Sequence, residues 1–242
     1  FEDLRRVFDR LGGGDLRIQA ILIAFCFGGL LEALAGFGAP VAITATMILS
    51  LGVKPLKAAV TVLIANTAPV AFGAVAVPIT TAADVGGKDP HVIATIVGHQ
   101  APFLAMLVPL ILLVILDGMQ GLKDAWLPAL IIGVSFAIAQ WVTAATPAYN
   151  LTDVVACIVS MGVAVIFLRF WKPRGVAGVR ERYGLPAQSE EKEALPAVRV
   201  WMALLPYVIV VAIFGIANLH AGLKAWLKSF VIKIDIQALS SR

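Results

Sequence analysis

Apolar residues run almost without interruption from Ile18 to Val53, and further apolar runs follow, separated by short polar turns. The pattern predicts helical spans at about 56–83, 92–116, 126–145, 154–168 and 200–219. A polar lead-in occupies residues 1–17, and the longest hydrophilic stretch is 169–199. In the tail 220–242, Lys224, Lys228 and Lys233 interleave with Trp226, Leu227, Phe230 and Val231, the pattern of an interfacial amphipathic helix. Apolar runs of this length, without the ten-residue alternation of a membrane barrel, predict an all-α, polytopic helical bundle.

The first run is too long to be one crossing. As one straight helix, its 36 residues would reach about 54 Å, whereas the hydrocarbon core is about 30 Å thick. The place for it to break is Gly36-Phe-Gly-Ala-Pro40. Charge supplies a direction for the two halves. Residues 169–199 carry Arg169, Lys172, Arg174, Arg180, Arg182, Lys192 and Arg199, so the positive-inside bias places them in the cytoplasm. Counting back span by span puts 146–153 outside, 117–124 inside, 84–91 outside and the Lys54–Lys57 turn inside. The lead-in, with Arg5, Arg6, Arg10 and Arg17, is also basic. Both ends of 18–53 therefore belong to the cytoplasmic side, and the expectation is a re-entrant hairpin. The lysines of the tail run against this scheme.

Composition narrows the class without changing the layout. The chain is 60% hydrophobic and 14% charged with mean hydropathy +0.92, well beyond a soluble domain. Its net charge of +4 is what basic cytoplasmic loops produce and implies no nucleic-acid partner. Cys26 and Cys157 fall inside apolar spans and read as packed thiols. With no initiator Met and no signal-peptide pattern, the chain reads as an interior piece of a longer protein.

The candidate chemistry lies at the interruptions. A helix that restarts inside a membrane offers unpaired N–H groups and the positive end of its dipole, so an anion can bind there without an arginine. Pro40 suits a first-turn position, and Ala39-Pro-Val-Ala-Ile43 is echoed by Ala68-Pro-Val-Ala-Phe72 and, more weakly, by Ala101-Pro-Phe103. The candidate substrate-binding residues are Gly36, Gly38, Ala39, Pro40, Thr44, Asn66, Thr67 and Pro69. Glu32 stands out as an acidic residue deep in a span and is the candidate for proton coupling, with His99 as a second. His91, His220 and the aspartates at 84, 89, 117, 124 and 153 read as solvated or capping groups. Nucleophile-elbow, Walker and His-x-x-x-His patterns are missing, so no enzyme, metal site or cofactor is expected.

Three stretches carry a resemblance: Phe25-Cys-Phe-Gly-Gly-Leu-Leu-Glu32, Ala35-Gly-Phe-Gly-Ala-Pro-Val-Ala-Ile43 and Asn66-Thr-Ala-Pro-Val-Ala-Phe-Gly-Ala74. They resemble the bacterial L-lactate permease family. Gly98-His-Gln-Ala-Pro102, Leu116-Asp-Gly118 and Ser135-Phe-Ala-Ile-Ala-Gln140 support it. The resemblance implies proton symport of lactate, D-lactate or glycolate across the bacterial inner membrane, by a larger transporter built from two inverted repeats. This chain would then hold one hairpin and half of the site, its partners being the substrate, protons, lipid and the rest of the transporter. A sodium-coupled carboxylate carrier, an intramembrane enzyme using Glu32 with His99, and a structural subunit are the rival readings.

Overall fold

The structure is a computed structural model that describes residues 2–36, 38–171, 173–185, 196–219, 222 and 226. The predicted tail 220–242 thus falls outside the described residues apart from Gly222 and Trp226. Every regular element among the described residues is helical. In order they are α1 (Glu2–Leu11), α2 (Leu16–Ile21), a π-helical segment Leu22–Phe27, α3 (Gly28–Ala35), α4 (Ala39–Ser50), α5 (Pro55–Ala65), α6 (Gly73–Gly86), α7 (Pro90–Ala105), α8 (Val108–Ala144), α9 (Thr152–Phe170), α10 (Val176–Arg182) and α11 (Ala197–Leu219).

Local chemistry sets the boundaries. Asp15 caps α2, its carboxylate accepting from the N–H groups of Arg17 (2.8 Å) and Ile18 (3.4 Å). Asp89 caps α7 in the same way through His91 N–H at 2.7 Å. Prolines 40, 55, 90 and 109 occupy first-turn positions, where a missing N–H costs nothing. α8 is a long helical run bent at Asp117–Gly118 and at Ala125, where the backbone leaves helical angles.

Leu16–Ala35 is one continuous apolar helix of 20 residues and forms the axis of the molecule, with 89% of its apolar window buried. α4, α5, α6, α8 and α9 pack around it. Pro90–Ala144 and Tyr149–Phe170 are also long and apolar enough to cross a membrane, and α5 with Val70–Gly86 forms a fourth candidate bent by 59°. Glycine permits the tightest approaches: a Cβ on Gly98 would overlap that of Ala144, and one on Gly133 would strike the Met106 carbonyl.

One end of the bundle is clamped by charge. Arg17, fully buried, donates to Asp15 (2.7 Å), Asp117 (3.1 Å), Asp124 (3.2 Å) and the Arg174 carbonyl (2.7 Å). Arg182 adds a bidentate pair to Asp117 at 2.6 and 2.8 Å, and this holds its guanidinium further above its ordinary pKa. Lys57 Nζ reaches the Leu116 carbonyl at 3.1 Å, and the Tyr183 hydroxyl donates to the same oxygen. A Cβ on Gly52 would meet Leu185 at 2.8 Å. The start of the first apolar run, its return near Gly52, the bend at 117–124 and residues 174–185 therefore share one end.

Three corrections follow. Arg17 is not a lead-in charge but a buried hub. Asp117 is not a solvated loop residue, since its side chain is 4% exposed. The stretch 169–199 is not uniformly a free loop, because 174–185 docks on that hub. At the other end, His91 Nε2 lies 3.1 Å from the Ala145 carbonyl, and its ring meets that of Tyr149, joining 86–91 to 145–150.

Candidate functional site

The first break separates α3 from α4. Gly36 ends α3 at φ 64°, ψ −166°, and Gly38 sits in the left-handed region at φ 74°. Such backbone is open to glycine at little cost. Pro40 is buried in the first turn of α4, Ala39 opens the helix, and Gly38 supplies no side-chain cap. One turn on, Thr44 is fully buried and donates its hydroxyl to the Pro40 carbonyl at 2.9 Å. A Cβ on Gly28 of α3 would lie 3.2 Å from the Thr44 methyl, so α3 and α4 close on glycine.

The second break follows α5. Asn66 is half-buried, and Thr67 is exposed with its hydroxyl donated back to the Ile64 carbonyl at 2.7 Å. Pro69 leads into a 3-10 turn over Val70–Phe72. The chain then passes through Ala74, Val75 and Ala76 at φ 47°, 58° and 61°. Three consecutive L-residues in the left-handed region cost about 1–2 kcal/mol each. The turn lies where α6 packs against α3.

The two breaks touch. A Cβ on Gly36 would lie 2.6 Å from that of Ala74, and one on Gly29 would meet Pro69 Cγ at 3.8 Å. Between them sits Glu32, 4% exposed. Its Oε1 would be 3.6 Å from a Cβ on Gly73, and its Oε2 has no hydrogen-bond partner among the described residues. Of the residues singled out from sequence, Glu32, Gly36 and Pro69 are brought together here, with Thr44 on the flank.

His99 is elsewhere. It is exposed on the outer side of α7, with Nδ1 2.6 Å from the Thr95 carbonyl and its ring edge-on to Trp141 at 6.2 Å. The buried face of α7 is Ala94, Gly98, Pro102 and Ala105, and position 99 is off that stripe.

Two polar residues at the breaks were not singled out. Gln140 of α8 and Asp153 of α9 are 0% and 1% exposed. Gln140 Nε2 donates to Asp153 Oδ1 at 2.8 Å and to the Ala68 carbonyl at 3.4 Å. The backbone N–H of Phe72, donated to the Pro69 carbonyl at 3.2 Å, lies near the same carboxyl. Gln140 Oε1 and Asp153 Oδ2 have no hydrogen-bond partner among the described residues. The reading of Asp153 as a solvated turn residue is thus overturned: hydropathy ended the loop at 153, but α9 begins at Thr152, so Asp153 lies in its first turn. Cys26 and Cys157 are free and buried, with Ser160 Oγ 3.6 Å from Cys26 Sγ.

The result is a buried polar island in an apolar bundle, made of interrupted backbone, two carboxyl groups and an amide. It can hydrogen-bond a small polar solute and exchange protons with it. Among the described residues no group of three His, Cys, Asp or Glu side chains is arranged to hold a metal ion.

Comparison with known proteins agrees with this architecture. The L-lactate permease family matches residues 2–238. The L-lactate permease of Bacillus subtilis (strain 168) is 40% identical over 218 residues, covering 86% of this chain and 39% of that protein. The glycolate permease GlcA of Escherichia coli (strain K12) is 49% identical over 160 residues, covering 66% of this chain and 29% of that protein. The L-lactate permease of the same strain is 45% identical over 159 residues, with the same coverages, 66% and 29%. The chain thus spans well under half the length of these curated relatives. No solved structure matches it. A polytopic helical membrane chain with two touching breaks, matched almost end to end by the family, belongs to the L-lactate permease family.

Proposed function

We propose that the complete protein is a secondary transporter that imports L-lactate, or a related small 2-hydroxy monocarboxylate such as glycolate or D-lactate, together with protons across the bacterial inner membrane. The relatives named for lactate and for glycolate share one substrate chemistry, a carboxylate beside a hydroxyl. The observation that carries the proposal is the convergence of both chain breaks on Glu32.

In this reading 36–43 and 66–69 cradle the substrate carboxylate through backbone N–H groups and helix dipoles. Thr44 and Asn66 lie close to the substrate hydroxyl. Glu32 is the coupling carboxyl. Protonated, it removes the repulsion that an ionised carboxylate would exert on an incoming anion, so proton and substrate enter together. The 18–53 segment acts as a re-entrant hairpin with both ends cytoplasmic, which the shared location of Arg17 and Gly52 at one end of the bundle supports. An inverted second repeat elsewhere in the full-length protein completes the site.

Uptake of labelled lactate by the full-length protein in proteoliposomes tests this, with a pH gradient and a sodium gradient imposed separately. Accumulation driven by the pH gradient and competed by glycolate is expected. Accumulation that responds only to sodium would replace the proton in this scheme, and the absence of lactate movement would reject it.

A further inference from the structure

Glu32 is not the only carboxyl buried at the breaks. Asp153 is equally enclosed and sits on the neighbouring residue: its carboxyl faces the N–H of Phe72, while Glu32 lies against Gly73. We propose that Asp153, positioned by Gln140, is a second proton-carrying group of this site. The inference rests on the proton-coupled reading above and extends it from one carboxyl to two.

The hydrogen bonds show where the proton goes. Gln140 Nε2 donates to Asp153 Oδ1, so that oxygen is an acceptor and the proton of the neutral acid belongs on Oδ2, the oxygen without a partner. Full burial with no Lys or Arg paired to it among the described residues favours the neutral acid. The carboxylate is nevertheless provided for, because the amide of Gln140 and the positive end of α9 both stabilise negative charge at this position. A group held so that both protonation states are accommodated is suited to picking up and releasing a proton.

The same contacts connect that proton to the chain. Gln140 also donates to the Ala68 carbonyl, so one amide ties Asp153 to the second break. Among the described residues the titratable neighbours of Asp153 are Cys157, one turn along α9 with Cys26 beyond it, and Glu32, which lies against Gly73 on the second break. Arg17 and its aspartate partners lie at the other end of the bundle.

The test uses the full-length protein in proteoliposomes and separates two activities. Lactate counterflow, with no pH gradient, reports binding and reorientation; uptake driven by a pH gradient reports coupling. Asp153→Asn keeps the shape and the acceptor but cannot release a proton. It is expected to retain counterflow and lose gradient-driven accumulation, with Asp153→Glu restoring part of the accumulation. Gln140→Leu is expected to shift the pH profile of uptake. Undiminished accumulation in Asp153→Asn overturns the proposal. So does an unshifted profile in Gln140→Leu, which also decides the matter should Asp153→Asn fail to fold. A sodium-driven accumulation that Asp153→Asn removes would make the residue a cation ligand instead. Wild-type protein without lactate counterflow would reject the transport reading itself, a separate outcome from these.

Discussion

Gly36 and Ala74 meet so closely that a Cβ on the glycine would lie 2.6 Å from that of the alanine. Real Cβ atoms do not approach to this distance, so the two breaks contact each other only because position 36 has no side chain. Gly36 also has φ 64°, a second reason for glycine.

The contact makes a pairwise prediction. Gly36→Ala is expected to reduce transport and lower the thermal unfolding midpoint, because it adds both a clash and left-handed strain. Ala74→Gly alone should be neutral or stabilising by about 1 kcal/mol, since it relieves an L-residue at φ 47°. Combined, Ala74→Gly should recover part of what Gly36→Ala loses. Strict additivity of the two changes in a double-mutant cycle would argue against the contact.

The Arg17 hub predicts a stability effect far from the breaks. Arg17→Gln leaves Asp15, Asp117 and Asp124 facing one another without their shared cation, a change expected to cost about 3–5 kcal/mol. Arg17→Lys should recover only part of it, because an ammonium cannot match the forked geometry. Thermal unfolding of the purified full-length protein reads both. A midpoint unchanged in Arg17→Gln would contradict the hub.

Topology gives a third prediction. Cys26 and Cys157 are buried, so these two thiols should be silent to a membrane-impermeant thiol reagent. Arg10→Cys, Lys54→Cys and Gly184→Cys should be labelled from the cytoplasmic side and Lys88→Cys from the outside. Labelling of positions 10 and 54 from opposite faces would contradict the hairpin.

Some of this site was legible in the chain and some was not, for physical reasons. The breaks themselves were readable, because glycine and proline interrupt a run that is too long to cross once, and so was Glu32, a charge without an excuse in apolar surroundings. The contact between the breaks was not, since it depends on a left-handed turn through Ala74, Val75 and Ala76, residue types that give no signal for it. Arg17 and Asp153 were misjudged for one reason: hydropathy assigns charged residues to loops, yet in three dimensions Arg17 is enclosed by its partners and Asp153 by Gln140 and the second break. His99 was placed at depth by its position along α7. The stripe of Ala94, Gly98, Pro102 and Ala105 on the same helix pointed to a different face.

Whether Glu32, held where the two breaks meet, couples a proton to the entry of lactate is tested most directly by Glu32→Gln in the full-length protein, assayed for labelled lactate uptake under an imposed pH gradient alongside gradient-free counterflow. Counterflow is expected to persist while gradient-driven accumulation is lost. Accumulation at the wild-type level in Glu32→Gln, still accompanied by proton movement, would contradict that coupling.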